Sequence, residues 1–253
     1  MVLYYHSVTP GEVSKFVQQL AELQRAAKPI RLPVQQPLEP GKNYFSITFD
    51  DGFVSVLENA VPELISRGIP VTLFVPAGYL GRVPQWDHSI HVASDEVVVT
   101  AEQLLALPEH LVAIGSHTMT HANMVMADPD TAKWELRESR RQLENALGRE
   151  IKLFAFPYGK YTYAAARLGY EAGYQHVFTS EPKLTRLRAE DWLVGRISVT
   201  PHDWPLEFWL KIRGAYGWLA LVHSVQDKVR QNVLQLKTAL RSYWGHGVAE
   251  KTS

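Results

Sequence analysis

Two short fragments of the 253-residue chain contain side chains that could bind a metal ion and catalyse hydrolysis. Asp50 and Asp51 are adjacent in a Thr-Phe-Asp-Asp-Gly segment, and His117 and His121 are four residues apart in Ser-His-Thr-Met-Thr-His. Histidine and carboxylate ligands suit a divalent metal, and histidines four residues apart face one way if they lie on a helical turn. If the fragments meet in space, they predict a metal site with one carboxylate left over to act as a base.

The composition excludes several other kinds of chemistry. The sequence contains no cysteine, which rules out disulfides, thiolate catalysis and cysteine-ligated zinc. Lys plus Arg and Asp plus Glu both number 26, so the chain lacks the net positive charge expected of a nucleic-acid-binding protein. No apolar run is long enough for a membrane span, and residues 1–6 do not resemble a secretory signal. We therefore expect a cytoplasmic or membrane-peripheral protein; the sequence makes no prediction about its oligomeric state.

The candidate catalytic and metal-binding residues directly follow segments that we predict to be strands. Runs of β-branched and aromatic residues end just before Asp50, His117 and Tyr158, and predicted helices alternate with these strands. Such alternation predicts a single α/β domain with a largely parallel sheet, in which sites lie at the carboxyl ends of the strands. The periodicity does not choose between a barrel and an open sheet.

Three segments resemble the motifs of the polysaccharide deacetylases, carbohydrate esterase family 4. They are residues 46–52, 116–121 and 154–159. Residues 3–8 are similar to the start of a bacterial branch that often serves exopolysaccharide synthesis. The resemblance implies a single-domain distorted (β/α) barrel with about seven strands. The deacetylase-like domain would span residues 1–253, with residues 205–253 as a C-terminal helical extension packed on the barrel.

The same resemblance implies a role for each acid and histidine. Asp51, His117 and His121 would bind the metal, which is usually zinc, with cobalt or nickel as alternatives. Asp50 would be the catalytic base, and the backbone N–H of Tyr158 would help to hold the oxyanion. The implied reaction is removal of N-acetyl groups from amino sugars in a glycan or exopolysaccharide precursor.

Two positions depart from the family pattern. Many members have an arginine at the start of the third motif that pairs with the base, but residues 154–156 here read Phe-Ala-Phe. Arg196 is our candidate substitute, because a nearby arginine would lower the pKa of Asp50 and keep it ionised. Many members also use a late histidine as general acid. We predict His223 for this role, with His202 as the alternative.

Other interpretations stay open at this point. The scaffold would also suit an O-acetyl esterase, and the missing third-motif arginine would suit a non-catalytic glycan-binding domain. We place His6 either at the rim of the site or in the core, and Trp86 and Asp87 either beside the substrate or on the loop surface. The aromatic stretch at residues 204–218 would pack on the barrel, or would contact a membrane surface or a partner. The predicted substrate is thus a glycan or amino sugar. Contact with a membrane surface is a separate prediction for the protein as a whole.

Overall fold

A computed structural model describes residues 1–35, 37–86, 96–181 and 191–215. The strands in these residues are β1 (Val2–Tyr5), β2 (Lys28–Pro29), β3 (Tyr44–Phe49), β4 (Val71–Val75), β5 (Val112–Ser116), β6 (Leu153–Ala155), β7 (His176–Thr179), β8 (Leu193–Gly195) and β9 (Ile197–Ser198). The helices are α1 (Val13–Ala26), α2 (Val61–Ser66), α3 (Ala101–Leu105), α4 (Pro129–Leu147), α5 (Tyr163–Glu171) and α6 (Pro205–Ile212).

The strands form one parallel sheet that nearly closes into a barrel. Their order is β8-β7-β6-β5-β4-β3-β1-β9, and β2 pairs with β3 outside this path. Only Arg196 separates β8 from β9, yet β8 pairs with β7 and β9 pairs with β1. Residues 193–198 therefore form one extended segment, interrupted at Arg196, whose first part pairs with β7 and whose second part pairs with β1. This closure confirms the predicted distorted (β/α) barrel, which has eight strands when β8 and β9 are counted separately.

The central strands are buried on both sides, which suits a parallel sheet covered by helices. All five residues of β4 and all five of β5 are buried. Alternate side chains belong to two apolar clusters: Leu73 and Val75 pack in the larger cluster with the helices, and Phe74 packs in a smaller one with Phe178. The alternation of side chains along a strand assigns the smaller cluster to the interior of the barrel.

Helix α4 shows how local sequence sets the position of an element next to the histidine fragment. The Asp128 side chain accepts hydrogen bonds from the first N–H groups of the helix, and Pro129 occupies its first turn. Gly148 ends it with a φ of 64°, a left-handed conformation that glycine adopts readily. The amphipathic spacing of residues 130–147, followed by Gly148, predicts this helix, and the structure confirms it.

Another helix differs in form from the one that the sequence predicts. Residues 54–67, followed by Gly68, predict a single helix, whereas the structure has a π-helical turn, Val56–Ala60, that continues into α2. The chain divides into two compact units, Met1–Ala215 and Tyr216–Ser253, and α6 belongs to the first unit, where it packs against α1. The proposed packing of residues 205–253 as a whole stays a prediction, because the second unit lies outside the described residues. None of the described helices is long and apolar enough to cross a membrane.

Candidate metal centre and catalytic site

The two acids lie at the carboxyl end of β3 but face different partners. Asp51 has a φ of 67°, and the N–H of Gly52 donates to the carbonyl of Asp50 over 2.8 Å, so the chain turns sharply after the strand. Both acids are buried. This turn lets neighbouring side chains, which would point to opposite faces of a regular strand, approach one site from different directions.

Asp51 faces the two histidines of the second fragment. Its Oδ1 atom is 3.0 Å from His121 Nε2 and 3.6 Å from His117 Nε2. Potential ligand atoms of the three residues all lie within 4.8 Å of one another, and all three residues are buried. The two fragments identified in the sequence therefore meet in space.

The chemistry of this cluster fits a divalent cation. His117 Nδ1 lies 2.8 Å from the carbonyl oxygen of Ala155, so a proton on Nδ1 leaves the Nε2 lone pair facing Asp51. Burial lowers the pKa of His117 to about 4, so that the ring is neutral at pH 7. Within the described residues, only the two histidine Nε2 atoms approach Asp51 Oδ1, and no backbone N–H, hydroxyl, lysine or arginine donates to it. A metal bound by Asp51, His117 and His121 would satisfy this oxygen.

Asp50 has a partner within the protein instead. Arg196 binds it through two hydrogen bonds, from Nη1 to Oδ1 over 2.6 Å and from Nη2 to Oδ2 over 2.8 Å. Nη1 also donates to Thr48 Oγ1, and the guanidinium lies over the Tyr4 ring at 4.6 Å. The pairing of Arg196 with Asp50 that we predicted is present. Burial raises the pKa of Asp50, but Arg196 and then His117 outweigh this effect and hold the pKa below its ordinary value.

Backbone strain is concentrated at the site. Among the described residues other than glycine, a positive φ occurs at Asp51, Thr118, His121 and Tyr158, with values from 58° to 68°. Residues other than glycine rarely adopt this conformation, and such residues cluster at functional sites. All four belong to the segments that resemble the deacetylase motifs.

Aromatic rings surround His121. Trp86 stacks on it with 4.2 Å between the ring centroids and an interplanar angle of 17°, and Tyr158 contacts it edge-on at 4.8 Å. Trp86 thus lies beside the candidate metal centre, one of the two positions considered for it from the sequence. The side chain of Tyr158 is about half exposed, so it lies where the site opens to solvent.

The structure also places the remaining candidates. His6 is close enough to both acids for its charge to lower their pKa values, which agrees with a position near the site. His202 Nε2 instead lies 2.5 Å from Oε1 of Glu12, the residue before α1. His223 and Asp87 lie outside the described residues, so the prediction of His223 as general acid stays a prediction.

Polar side chains of α4 that support the site are not among the residues predicted from the sequence. Glu135 accepts hydrogen bonds from Met119 and Thr120, Ser116 donates to Ser139, and Gln142 donates to the carbonyl of Ala77. An amphipathic helix normally directs such residues to solvent. Their spacing in the sequence could have identified them. Residues 135, 139 and 142 lie on the same face of α4 as the buried residues Leu136 and Leu143.

Comparisons with known proteins agree with this geometry. The family description "Polysaccharide deacetylase" matches residues 38–177, more than half of the chain. YxkH from Bacillus subtilis (strain 168) is 24% identical over 211 residues, which cover 79% of this chain and 71% of YxkH.

Solved structures share the fold. IcaB from Ammonifex degensii superposes with a TM-score of 0.70 and 26% identity, covering 84% of this chain and 96% of IcaB. The Streptococcus pyogenes deacetylase PplD, in complex with acetate, has a TM-score of 0.68 and 19% identity, covering 83% of this chain and 96% of PplD. The second likeness shows the fold alone.

Proposed function

Because the chain belongs to the polysaccharide deacetylase family, we propose that it is a metal-dependent hydrolase that removes N-acetyl groups from amino sugars in a glycan. The observation that carries this proposal is the contrast between the adjacent acids. Asp51 faces His117 and His121, and within the described residues only these two rings approach its Oδ1 atom, whereas Asp50 is paired with Arg196. A site with a cation-binding face and a separate base suits hydrolysis of an acyl group.

Each residue has a distinct part in the proposed reaction. A divalent ion held by Asp51, His117 and His121 would polarise the acetyl carbonyl and lower the pKa of a water molecule. Asp50 accepts a proton from the water as the oxygen attacks the carbonyl carbon. Arg196 keeps Asp50 ionised before the attack and fixes the orientation of its carboxylate.

The second half of the reaction needs an oxyanion donor and an acid. We assign the backbone N–H of Tyr158 to the developing oxyanion, because the left-handed turn at this residue directs its backbone away from a regular strand. The C–N bond then breaks, the amine leaves with a proton from a general acid, and acetate is the second product. We propose His223 as that acid, with His202 as the alternative.

The proposed substrate is an N-acetylated glycan of the exopolysaccharide type, and the proposed metal is zinc. Acetate release from N-acetylglucosamine oligomers by the purified full chain tests both assignments. We expect release to stop after treatment with a chelator and to return on addition of Zn²⁺, with Co²⁺ and Ni²⁺ compared in parallel. Metal-replete protein that binds these oligomers but releases no acetate would contradict the proposal and would indicate a non-catalytic glycan-binding domain.

An O-acetyl esterase would use the same water, base and metal. Parallel assays with β-1,4-linked oligomers, β-1,6-linked oligomers and acetylated xylan distinguish the bond that is hydrolysed. We expect turnover of an amide substrate, with acetylated xylan as the comparison. Faster turnover of acetylated xylan than of both amide substrates would replace the deacetylase assignment with the esterase one.

A further inference from the structure

Helix α4 contributes a buried carboxylate to the loop that carries the two histidines. Glu135 is only 3% exposed. Its Oε2 atom accepts hydrogen bonds from the backbone N–H groups of Met119, at 2.8 Å, and Thr120, at 2.9 Å. Its Oε1 atom accepts a third hydrogen bond from the Thr120 hydroxyl. All three donors lie between His117 and His121 in the sequence.

These contacts are unusual for a buried acid. Burial of a carboxylate is costly unless the charge is paired or fully hydrogen-bonded. No lysine or arginine of the described ranges forms a salt bridge with Glu135, so neutral donors from a single turn supply its hydrogen bonds. Hydrogen bonds from N–H groups to a carboxylate are roughly twice as strong as those between neutral groups. The contacts of Glu135 therefore fix this one turn.

The turn is one that needs support. Thr118 has a φ of 68° and His121 has a φ of 58°, so the peptides between the histidines are held in a conformation that such residues disfavour. The other side of the turn is tied to the loop after β4, where the N–H groups of Ala77 and Gly78 donate to the carbonyls of Thr118 and Met119. Glu135 secures the side that faces α4.

We propose that Glu135 is a positioning residue for the metal centre. It holds the strained turn so that His121 Nε2 faces Asp51 and His117, although it does not itself belong to the ligand cluster. The inference rests on the proposed metal-dependent function, because it assigns Glu135 to the geometry of that same site. Residues that orient metal ligands commonly change metal affinity by about 10- to 100-fold when they are replaced.

Metal affinity of the purified full chain tests this role without any turnover. Dissociation constants for Zn²⁺ and Co²⁺ are measured by competition with a chromophoric chelator, and the visible absorption of bound Co²⁺ reports ligand geometry. We expect Glu135→Leu, which has a similar volume but no acceptor, to weaken binding by about 10- to 100-fold and to alter the Co²⁺ spectrum. Glu135→Gln should stay within about 3-fold of the parent, because its amide oxygen can accept both N–H groups and its NH₂ can donate to Thr120 Oγ1.

Tyr174→Phe is the matched control for a general loss of stability. Its hydroxyl donates to the carbonyl of Leu136 and contacts the hydroxyls of Ser139 and Ser116, but among the described residues it forms no hydrogen bond with residues 118–120 of the turn. We expect its metal affinity and Co²⁺ spectrum to equal those of the parent even if its melting temperature falls. A folded Glu135→Leu protein with parental affinity and spectrum would overturn the proposal, as would an equal loss of affinity in Tyr174→Phe.

A second variant covers the case in which Glu135→Leu does not fold. Glu135→Asp keeps the charge but withdraws the carboxylate by one methylene group, so we expect at least a 3-fold loss of affinity; parental affinity would overturn the proposal. Acetate release by the parent is recorded separately. A parent that binds metal tightly but releases no acetate would refute the proposed reaction and leave the role of Glu135 intact.

Discussion

Two neighbouring parts of the site, the arginine half and the histidine half, balance charge in different ways. The arginine half consists of Asp50 and Arg196, whose two short hydrogen bonds satisfy both carboxylate oxygens. The histidine half consists of Asp51, His117 and His121, and among the described residues only the two histidine rings approach Asp51 Oδ1. The charges of the first half are paired within the protein, whereas the second half would be completed by the proposed cation.

The difference shows how adjacent acids of one type can acquire different properties. Their backbone positions differ by one residue, but the positive φ of Asp51 turns its side chain toward the loop after β5. Asp50 instead meets an arginine that is 146 residues away in the sequence, at the point where β8 and β9 close the sheet. Closure of the barrel and ionisation of the proposed base thus depend on the same residue.

The largest expected effect comes from the arginine half. Asp50→Asn keeps the size of the side chain but removes the proton acceptor, so we expect kcat to fall about 10³-fold. Zn²⁺ affinity should change little, because Asp50 is not in the ligand cluster. Acetate release and metal titration measure the two quantities, with exposed Asp130→Asn as the control. A near-normal rate for Asp50→Asn would remove Asp50 from the role of base.

The histidine half should respond in the opposite way. His121→Ala removes a proposed ligand and leaves Asp51 with one fewer partner, so we expect Zn²⁺ affinity to fall by more than about 100-fold. Titration with a competing chelator measures the loss, and exposed His110→Ala serves as the control for replacement of a histidine. Unchanged affinity in His121→Ala would mean that the ion binds elsewhere, and the contrast between the two halves would fail.

Arg196→Lys tests how the arginine half keeps its charge. Lysine retains the positive charge but cannot form the paired hydrogen bonds of a guanidinium. Because Arg196 lowers the pKa of Asp50, weakening this contact raises that pKa, and a base is lost as the pH falls through its pKa. We expect the acid limb of the kcat/KM profile to move to a higher pH by about one unit. At pH values below the shifted limb, kcat/KM should be about 10-fold lower than in the parent.

The control for this experiment is Arg213→Lys, since Arg213 is exposed and its guanidinium lies over the ring of Trp209. Its acid limb should coincide with that of the parent. An Arg196→Lys profile with the parental acid limb would show that Arg196 has a structural role in closing the sheet and does not set the protonation of Asp50.

Much of this arrangement could be predicted from the sequence because the signals are local. Runs such as residues 71–75 predict buried strands, and the acids and histidines follow such runs directly. Arg196 was predicted from a charge argument, since a buried base needs a cationic partner. Closure of the sheet was implied only by the family resemblance, because the pairing of residues 193–198 with two distant strands leaves no mark in local periodicity.

Glu135 was missed for a related reason. An acid in an amphipathic helix is usually solvated, and only its buried neighbours Ala132 and Leu136 indicate that this one faces inward. The sequence also leaves two candidates for the general acid, His202 and His223. Neither follows a motif as specific as those around the candidate metal ligands. Local patterns thus located the candidate ligands, while the residues that support them depend on tertiary packing.

The smallest expected effect concerns Tyr158, which borders the histidine half. The proposed oxyanion donor is its backbone N–H, so replacement of the ring should matter less than the left-handed backbone that presents the N–H. Asparagine tolerates a positive φ, whereas a β-branched residue does not. We therefore expect Tyr158→Asn to lower kcat by less than about 10-fold and Tyr158→Val to lower it further, with Zn²⁺ affinity similar in both. A loss in Tyr158→Asn as large as that in Asp50→Asn would instead assign the catalytic contribution to the ring that contacts His121.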